Sequence, residues 1–332
     1  MKIAFIIAYP TSTMANGIIS QALSWKKGLE MLGHEVELVD MWKGYDWSTF
    51  AVIHYFGFSS FSSHHIRMIS PLNESIVVSP ILDPNYPVWQ LWVYARWGST
   101  RLKLTNNYHS LYVVRNCIKK ILTRSEFETF YMVRGFGFRR EQCEVVPLAL
   151  DIVLPPAVEN FREPFCLHIS LLADKRKNVK RLIEAAKKYK FNLVLAGYTT
   201  PEGRRMIEQW IGGASHIEYL GYLPTPRMLQ LYSRAKVFAL PSLNEGVGLV
   251  GLEAAAMGCD VVLTHLGGPK EYYNGMVSLV DPFDVDAIGT AIVDLLGDKT
   301  FQPRLSQYMK QSFTMEKMAR KLLDVYIDIK QE

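Results

Sequence analysis

The sequence predicts an α/β protein built from two doubly wound, Rossmann-like domains in tandem, and three observations predict it. Short β-rich apolar runs alternate with amphipathic stretches of helical period almost throughout, which is the signature of βα units and parallel sheets. The length of 332 residues exceeds the usual reach of one hydrophobic core. The alternation breaks once, at the Pro-containing, weakly periodic stretch DIVLPPAVENFREP of residues 151–164, as expected of a boundary that few contacts cross.

In the first half, strands are expected at Ile3–Ala8, Glu35–Val39, Val52–Phe56, Ser75–Pro80, Ile118–Thr123 and Glu144–Pro147. A helix from Ile18 to Leu32 joins the first two and stops at Gly33, since glycine accepts the left-handed conformation that ends many helices. After the break come strand Phe165–Ile169, helix Val179–Tyr189, strand Asn192–Ala196, helix Pro201–Ile211, strand Ile217–Leu220 and helix Arg227–Ser233. Strand Val237–Leu240, helix Leu249–Met257, strand Asp260–Thr264 and strand Val277–Val280 follow, then helical periods over Val285–Leu296 and Met315–Ile329. The expected division is a first domain over 1–155, a second over 156–312 and a closing helix within 313–332. Ligands of open α/β sheets bind outside the carboxyl ends of the strands, so function is sought in the loops that follow strands, at a cleft shared by both domains.

Hydrophobic residues make up 49% of the chain and charged residues 21%, the balance of an ordinary globular protein rather than a disordered one. The apolar run of residues 2–9 is closed by Pro10 before any cleavage pattern, so it reads as a buried first strand and not a signal peptide. No apolar stretch approaches the roughly 20 residues of a membrane-spanning helix. Cys117, Cys143, Cys166 and Cys259 lie far apart with no CxxC pair, which favours reduced thiols and a cytoplasmic location over a zinc site or a disulfide framework. A net charge of +5 fits anionic small substrates or an acidic membrane surface and decides nothing alone.

The chemistry-bearing segment is PSLNEGVGLVGLEAAAMG, residues 241–258. Glu245 sits in a loop, Gly246 and Gly248 allow close backbone approach, and a helix begins near Leu249 with its free N–H groups available to an anion such as a diphosphate. Glu253 falls one turn into that helix, where a carboxylate can accept from paired sugar hydroxyls. Read alone, Glu253 is better taken as a solvated or capping carboxylate.

The whole string resembles the signature of family 4 glycosyltransferases of GT-B fold, roughly EGFGLPxLEAMAxG, with Val247 and Val250 in place of the common Phe and Pro. The resemblance implies that Glu245 contacts the donor sugar and Glu253 the nucleoside ribose, with Gly246, Val247, Gly248 and Leu249 lining the donor site. It extends to THLGGPKEYYNG, where Gly267, Gly268 and Glu271 are in register, and to LTRSEFETFYMVRGF and EVVPLALD at the end of the first domain. FTMEKMARKLLDVY, from Phe313 to Tyr326, is similar to the family's closing helix, which returns to the first domain. Gly197 and Leu223, each following a strand of the second domain, join the donor-binding set.

The basic cluster KRKNVKR, residues 175–181, opens a helix. A departing nucleoside diphosphate needs its growing charge neutralised, and preorganised cations supply that. In the family an Arg and a Lys do this; Lys177 matches the Lys, whereas Leu171 stands at the Arg position and Arg176 is the candidate substitute. A solvated helix start accounts equally for Lys175, Arg176 and Lys180. Gly17 resembles the family's glycine loop after the first strand, reduced here to Asn16-Gly17. The absence of GxGxxG after that strand argues against a nicotinamide dehydrogenase. Where many relatives carry a functional His, this chain reads VVSPILDPN with Ser79 and Asp83, leaving His54, His64, His65 and His109 placed by no motif. The segment WQLWVYARWGSTRLK, from Trp89 to Lys103, reads as an acceptor face, a membrane contact, or core aromatics with solvated cations.

The resulting expectation is retaining transfer of a hexosyl unit from a nucleoside-diphosphate sugar to a saccharide or lipid-linked saccharide, with Glu245 and Lys177 at the reacting centre. No metal and no resident cofactor are expected, no nucleic acid partner, and a peripheral contact with the inner face of a membrane. Another GT-B enzyme such as a sugar-nucleotide epimerase, or a non-catalytic saccharide-binding partner subunit, stays open.

Overall fold

The computed structural model describes residues 1–7, 17–84, 86–98, 106–152 and 162–331. They form two compact units, the first of residues 1–151 and 313–332, the second of 152–312.

Unit 1 runs β1 (Lys2–Ile7), α1 (Gly17–Met31), β2 (Glu35–Leu38), β3 (Val52–Phe56), α2 (Ser60–Ile69), β4 (Ile76–Ser79), α3 (Val88–Arg96), α4 (Asn107–Val113), β5 (Lys120–Thr123), α5 (Glu126–Tyr131) and β6 (Cys143–Val145). A π-helical turn, Met132–Phe136, extends α5. All six strands are parallel, in the order β2-β1-β3-β4-β5-β6. Every residue of β3 is buried, because helices cover both faces of a parallel sheet and its inner strands then read as unbroken apolar runs.

Unit 2 runs β7 (Glu163–Ile169), α6 (Val179–Tyr189), β8 (Asn192–Ala196), α7 (Pro201–Ile211), β9 (Ile217–Gly221), α8 (Thr225–Arg234), β10 (Ala235–Leu240), α9 (Leu249–Met257), β11 (Asp260–Thr264), β12 (Ser278–Val280), α10 (Val285–Leu296) and α11 (Arg304–Ser312). Its sheet is also parallel, ordered β12-β11-β10-β7-β8-β9. Counted from β7 this is the Rossmann order, which reverses direction between β7 and β10 and opens a crevice at their carboxyl ends. Helix α6 shows why the layers form: Val179, Leu182, Ile183, Ala185 and Ala186 are buried, while the intervening lysines and Glu184 face outward, the 3.6-residue pattern of a helix on a sheet.

The final helix, α12 (Met315–Gln331), belongs to unit 1 and lies along α1. The approach is close: a Cβ on Gly28 would stand 2.8 Å from that of Ala319. Tyr326 of α12 reaches the middle of the sheet, where its hydroxyl meets His54 Nδ1 at 2.5 Å, and His54 Nε2 meets Ser79 Oγ at 2.9 Å. Burial pushes the His54 imidazole down to about 3, so the ring is a neutral bridge between helix and sheet.

Several boundaries differ from those the pattern predicts. The first helix spans Gly17–Met31 rather than Ile18–Leu32, and α8 starts at Thr225 because Pro226 is tolerated in a first turn. Helices α2 to α5 interrupt the first half where only strands were expected. The serines and histidines of α2 are weak helix formers, but Ser59 and Ser62 close a capping box at its start. Ala8, Asn16, residues 99–103 of the aromatic segment and residues 153–161 of the linker lie outside the described residues.

Candidate active site

The crevice between β7 and β10 is bordered by the loops of residues 170–178 and 241–248, and side chains fasten these loops together. Asn178 is left-handed (φ 58°) and buried, a conformation asparagine tolerates better than most residues. Its side-chain amide donates to the carbonyls of Pro241 (3.0 Å) and Pro282 (2.6 Å). The Leu243 N–H donates to the Arg176 carbonyl at 2.7 Å. Across this seam Lys177 Nζ donates to Glu245 Oε2 at 2.6 Å, and the Ser242 hydroxyl donates to the same oxygen at 3.1 Å. The two charged side chains keep 17% and 11% of their exposure, so the pair is screened less than a surface ion pair. Without a ligand, the cation and carboxylate neutralise each other.

The backbone around Glu245 leaves no room for substitution at its neighbour. A Cβ on Gly267, whose φ is +90°, would lie 2.2 Å from the Glu245 carbonyl oxygen, so the Gly267-Gly268 turn rests directly on the Glu245 peptide. Gly246, Val247 and Gly248 are buried beneath the loop. Gly248 is the N-cap of α9 in left-handed conformation, with no side-chain cap, and the first turn of α9 carries no acidic residue. The amides of Leu249 and Val250 therefore open onto the crevice with the positive end of the helix dipole behind them, a ready anion site.

Glu253 lies one turn further along α9 and is largely buried, with Oε2 accepting from the Tyr232 hydroxyl of α8 at 3.3 Å. Burial pushes its carboxyl up to about 7, with the Tyr232 bond acting in the opposite direction. Near neutrality it is poised between the acid, which can donate, and the carboxylate, which only accepts.

The remaining expected positions divide. Arg176 turns its guanidinium onto Asp174, with Nη2–Oδ2 2.6 Å and Nε–Oδ2 3.0 Å, and stays half exposed. Leu171 is exposed in the same loop. Gly197 follows β8 with φ +132°, and a Cβ there would stand 1.8 Å from the Ser170 carbonyl, so it lets the exits of β7 and β8 run side by side. Leu223 lies half-buried beyond β9, the edge strand, and Glu271 is exposed in a 3-10 turn, Pro269–Tyr272. Gly17 opens α1 in unit 1, where a Cβ would meet none of the described residues within 4 Å. His54 and His109 are buried, His65 bonds Tyr55, and His64 is exposed.

Pattern reading missed Asn178, Tyr232, Ser242 and His168. His168 closes β7: its Nδ1–H donates to the Ala239 carbonyl of β10 (2.7 Å), which leaves Nε2 to accept from the Ser170 hydroxyl (2.7 Å). Burial lowers its pKa to about 4, so it is a neutral tie between the two strands of the crevice. Only the Lys-Asn dipeptide at 177–178 gave a local signal of a left-handed turn. Among the described residues no group of three or more His, Cys, Asp or Glu side chains is placed to hold a metal ion, and no helix is long and apolar enough to cross a membrane.

Residues 163–298 match the family model described as glycosyl transferases group 1. O-antigen chain mannosyltransferase B of Escherichia coli is 28% identical over 212 residues, 58% of this chain and 55% of that protein. D-inositol 3-phosphate glycosyltransferase of Corynebacterium urealyticum is 31% identical over 138 residues, 40% of this chain and 32% of that one. The chain thus spans about half or less of the length of these curated relatives. Sucrose-phosphate synthase of Thermosynechococcus elongatus superposes with a TM-score of 0.72 at 17% identity, over 99% of this chain and 98% of that one. Anabaena HepE, solved with UDP and glucose, gives 0.73 at 16% identity, over 99% and 100%. The fold is GT-B.

Proposed function

We propose that the chain, whose residues 163–298 match the family model described as glycosyl transferases group 1, transfers a hexosyl unit, with retention, from a nucleoside-diphosphate sugar to a saccharide or lipid-linked saccharide in glycan synthesis. Unit 2 holds the donor. The observation that carries this reading is the Lys177–Glu245 pair, set beside the uncapped start of α9 with Glu253 one turn in.

In the transfer, the bond from the sugar's anomeric carbon to the diphosphate oxygen breaks. A bond to an acceptor hydroxyl oxygen forms, and that hydroxyl's proton passes to the departing diphosphate oxygen or to water. Charge develops on the departing diphosphate, and the α9 amides and the Lys177 ammonium are positioned to neutralise it, which is where preorganised donors lower a barrier most. Donor entry separates Lys177 from Glu245, so the carboxylate accepts from sugar hydroxyls while the ammonium turns to phosphate. Glu253 accepts from the ribose. No metal or resident cofactor is invoked for these steps. Because one relative is named an O-antigen chain mannosyltransferase, mannose is the first sugar to try and a polysaccharide chain the first acceptor class.

The test is a thermal-shift screen of the intact chain against UDP-, GDP-, ADP- and dTDP-hexoses, repeated with Glu253→Ala. A ligand at about a hundredfold its Kd stabilises the folded state by about 2.7 kcal/mol. A rise in Tm with one nucleotide class, lost in the variant, is expected. No response to any of them overturns the donor site and favours a non-catalytic GT-B protein.

A further inference from the structure

We infer that Tyr273 is a positioning residue for Glu245: its buried hydroxyl takes up the Glu245 carboxylate when a nucleoside diphosphate draws Lys177 away. The inference rests on the donor reading above and adds to it the group that holds Glu245 once its cation has gone.

The loop after β11 makes the Gly267-Gly268 turn that rests on the Glu245 peptide, passes through the 3-10 turn Pro269–Tyr272 and reaches Tyr273. The Tyr273 side chain is fully buried, and its hydroxyl has no hydrogen-bond partner among the described residues. Such a group disfavours folding, because a phenol that leaves water without replacing its hydrogen bonds loses them outright. Phenylalanine would fill the same space without that penalty. A buried hydroxyl of this kind calls for a state in which it is used.

Two glycines of α9 locate it. A Cβ on Gly251 would stand 2.7 Å from the Tyr273 hydroxyl oxygen, and a Cβ on Gly248 would stand 3.3 Å from Glu245 Cγ. The Gly251 N–H donates to the Gly248 carbonyl at 2.8 Å, so the two glycines close a single turn and lie roughly 5 Å apart along the helix. The hydroxyl and the carboxylate stem therefore both pack on the opening turn of α9. The charge is felt at the phenol: burial pushes the Tyr273 pKa well above its ordinary value, and the Glu245 carboxylate pushes it further in the same direction.

Glu245 has an oxygen to offer. Lys177 and Ser242 both use Oε2, and Oε1 has no partner among the described residues. Once Lys177 turns to a diphosphate, Ser242 alone would hold a carboxylate that keeps only 11% of its exposure, and a charge so placed needs further hydrogen bonds. Tyr273 supplies one without adding a cation. The carboxylate then stays fixed in direction, with acceptor sites left for sugar hydroxyls.

The test is a double-mutant cycle of Tyr273→Phe and Glu245→Ala, read by thermal shift of the intact chain titrated with UDP-, GDP-, ADP- and dTDP-hexoses. Without ligand, Tyr273→Phe should melt at or above the wild-type temperature. It should bind the nucleotide sugar that shifts the wild type about tenfold more weakly, the loss expected for a hydrogen bond to a charged group. On the Glu245→Ala background the same change should cost less than about twofold, because the acceptor has already gone. A ligand-free Tm below that of the wild type means that the hydroxyl is partnered before the donor arrives, and overturns the inference. So does undiminished affinity in Tyr273→Phe, or an equal loss on both backgrounds, which marks a packing role. If Glu245→Ala does not fold, the first two readings decide. A wild-type response that Tyr273→Phe leaves intact sinks this inference alone, whereas no wild-type response to any nucleotide sugar sinks the donor reading and this inference with it.

Discussion

The two sheets present helix starts at their carboxyl edges in different ways. In unit 1, α2 and α5 follow β3 and β5, and each is closed by its own serine: Ser59 Oγ accepts from the Ser62 N–H and Ser125 Oγ from the Glu128 N–H. In unit 2, the helices that start at the crevice, α6 and α9, have no side-chain cap. Asn178 spends its side chain tying loops together, and Gly248 has none to offer. A missing cap costs about 1 kcal/mol of helix stability. Unit 2 accepts that loss where an anion would restore it, whereas α2 and α5 of unit 1 are closed by their own serines, and an anchored carboxylate, Asp83, stands beyond β4 instead. The electrostatic signs of the two edges are thus opposed: amides and Lys177 on one, the net negative cluster of Asp83, Glu128 and Arg124 on the other.

The strongest way to break this contrast is at Glu245. Glu245→Gln keeps acceptor capacity for Lys177 and Ser242 but removes the charge. Transfer from the nucleotide sugar should fall by about 10²–10³-fold, the scale of losing one preorganised electrostatic contact, with little change in Tm. A variant whose Tm falls while transfer from the nucleotide sugar is undiminished would reassign Glu245 to structure.

A smaller effect follows from Glu253, whose folded-state pKa of about 7 lies above the ordinary carboxylate value of 4.5. Ribose hydroxyls favour the ionised form, so donor affinity should strengthen as pH rises through about 7, by up to about tenfold per unit of pKa that the ligand pulls down. Glu253→Gln should flatten the profile. In the free protein the sign reverses, because ionising a buried carboxyl disfavours the folded state. The contribution is present below 4.5 and lost as pH rises through about 7. His168 acts in the other direction: with a pKa lowered from 6.5 to about 4, its contribution is complete above 6.5 and disappears as pH falls through about 4. Titrating Tm across both windows, with Glu253→Gln as reference, tests the pair.

The smallest effect belongs to unit 1. Ser125→Ala removes the α5 cap and should cost about 1 kcal/mol, or roughly 2–4 °C in Tm for a unit of this size. The nucleotide-sugar response should not change. If it weakens, the separation of the two edges is wrong.

Most of unit 2 was legible because α6, α7 and α10 are amphipathic and α9 and β11 are apolar runs bounded by Gly248, Gly258 and Cys259; together with β8 they begin and end where pattern alone puts them. Unit 1 was harder for identifiable reasons. Helix α3, VWQLWVYAR, is aromatic and buries only Leu91 and Ala95, so its period is masked by exposed tryptophans, and α2 depends on a serine capping box rather than on helix formers. In the site, Lys177, Glu245 and Glu253 are visible through a motif. Their partners are not: Tyr232 stands 21 residues from Glu253, and Asn178 is 104 from Pro282. No local pattern encodes contacts that exist only once the sheet order is set.

The position of α12 bears on how the chain is made. Because residues 313–332 complete unit 1 after all of unit 2 has been written, a ribosome delivers the second unit whole while the first still lacks a wall. During that interval the face of α1 around Gly28 has no Ala319 or Met315 against it, and His54 has no Tyr326 hydroxyl. An apolar face left waiting is what chaperones recognise. Unit 2 can therefore mature on its own schedule, whereas unit 1 gains its last wall only once α12 has been made.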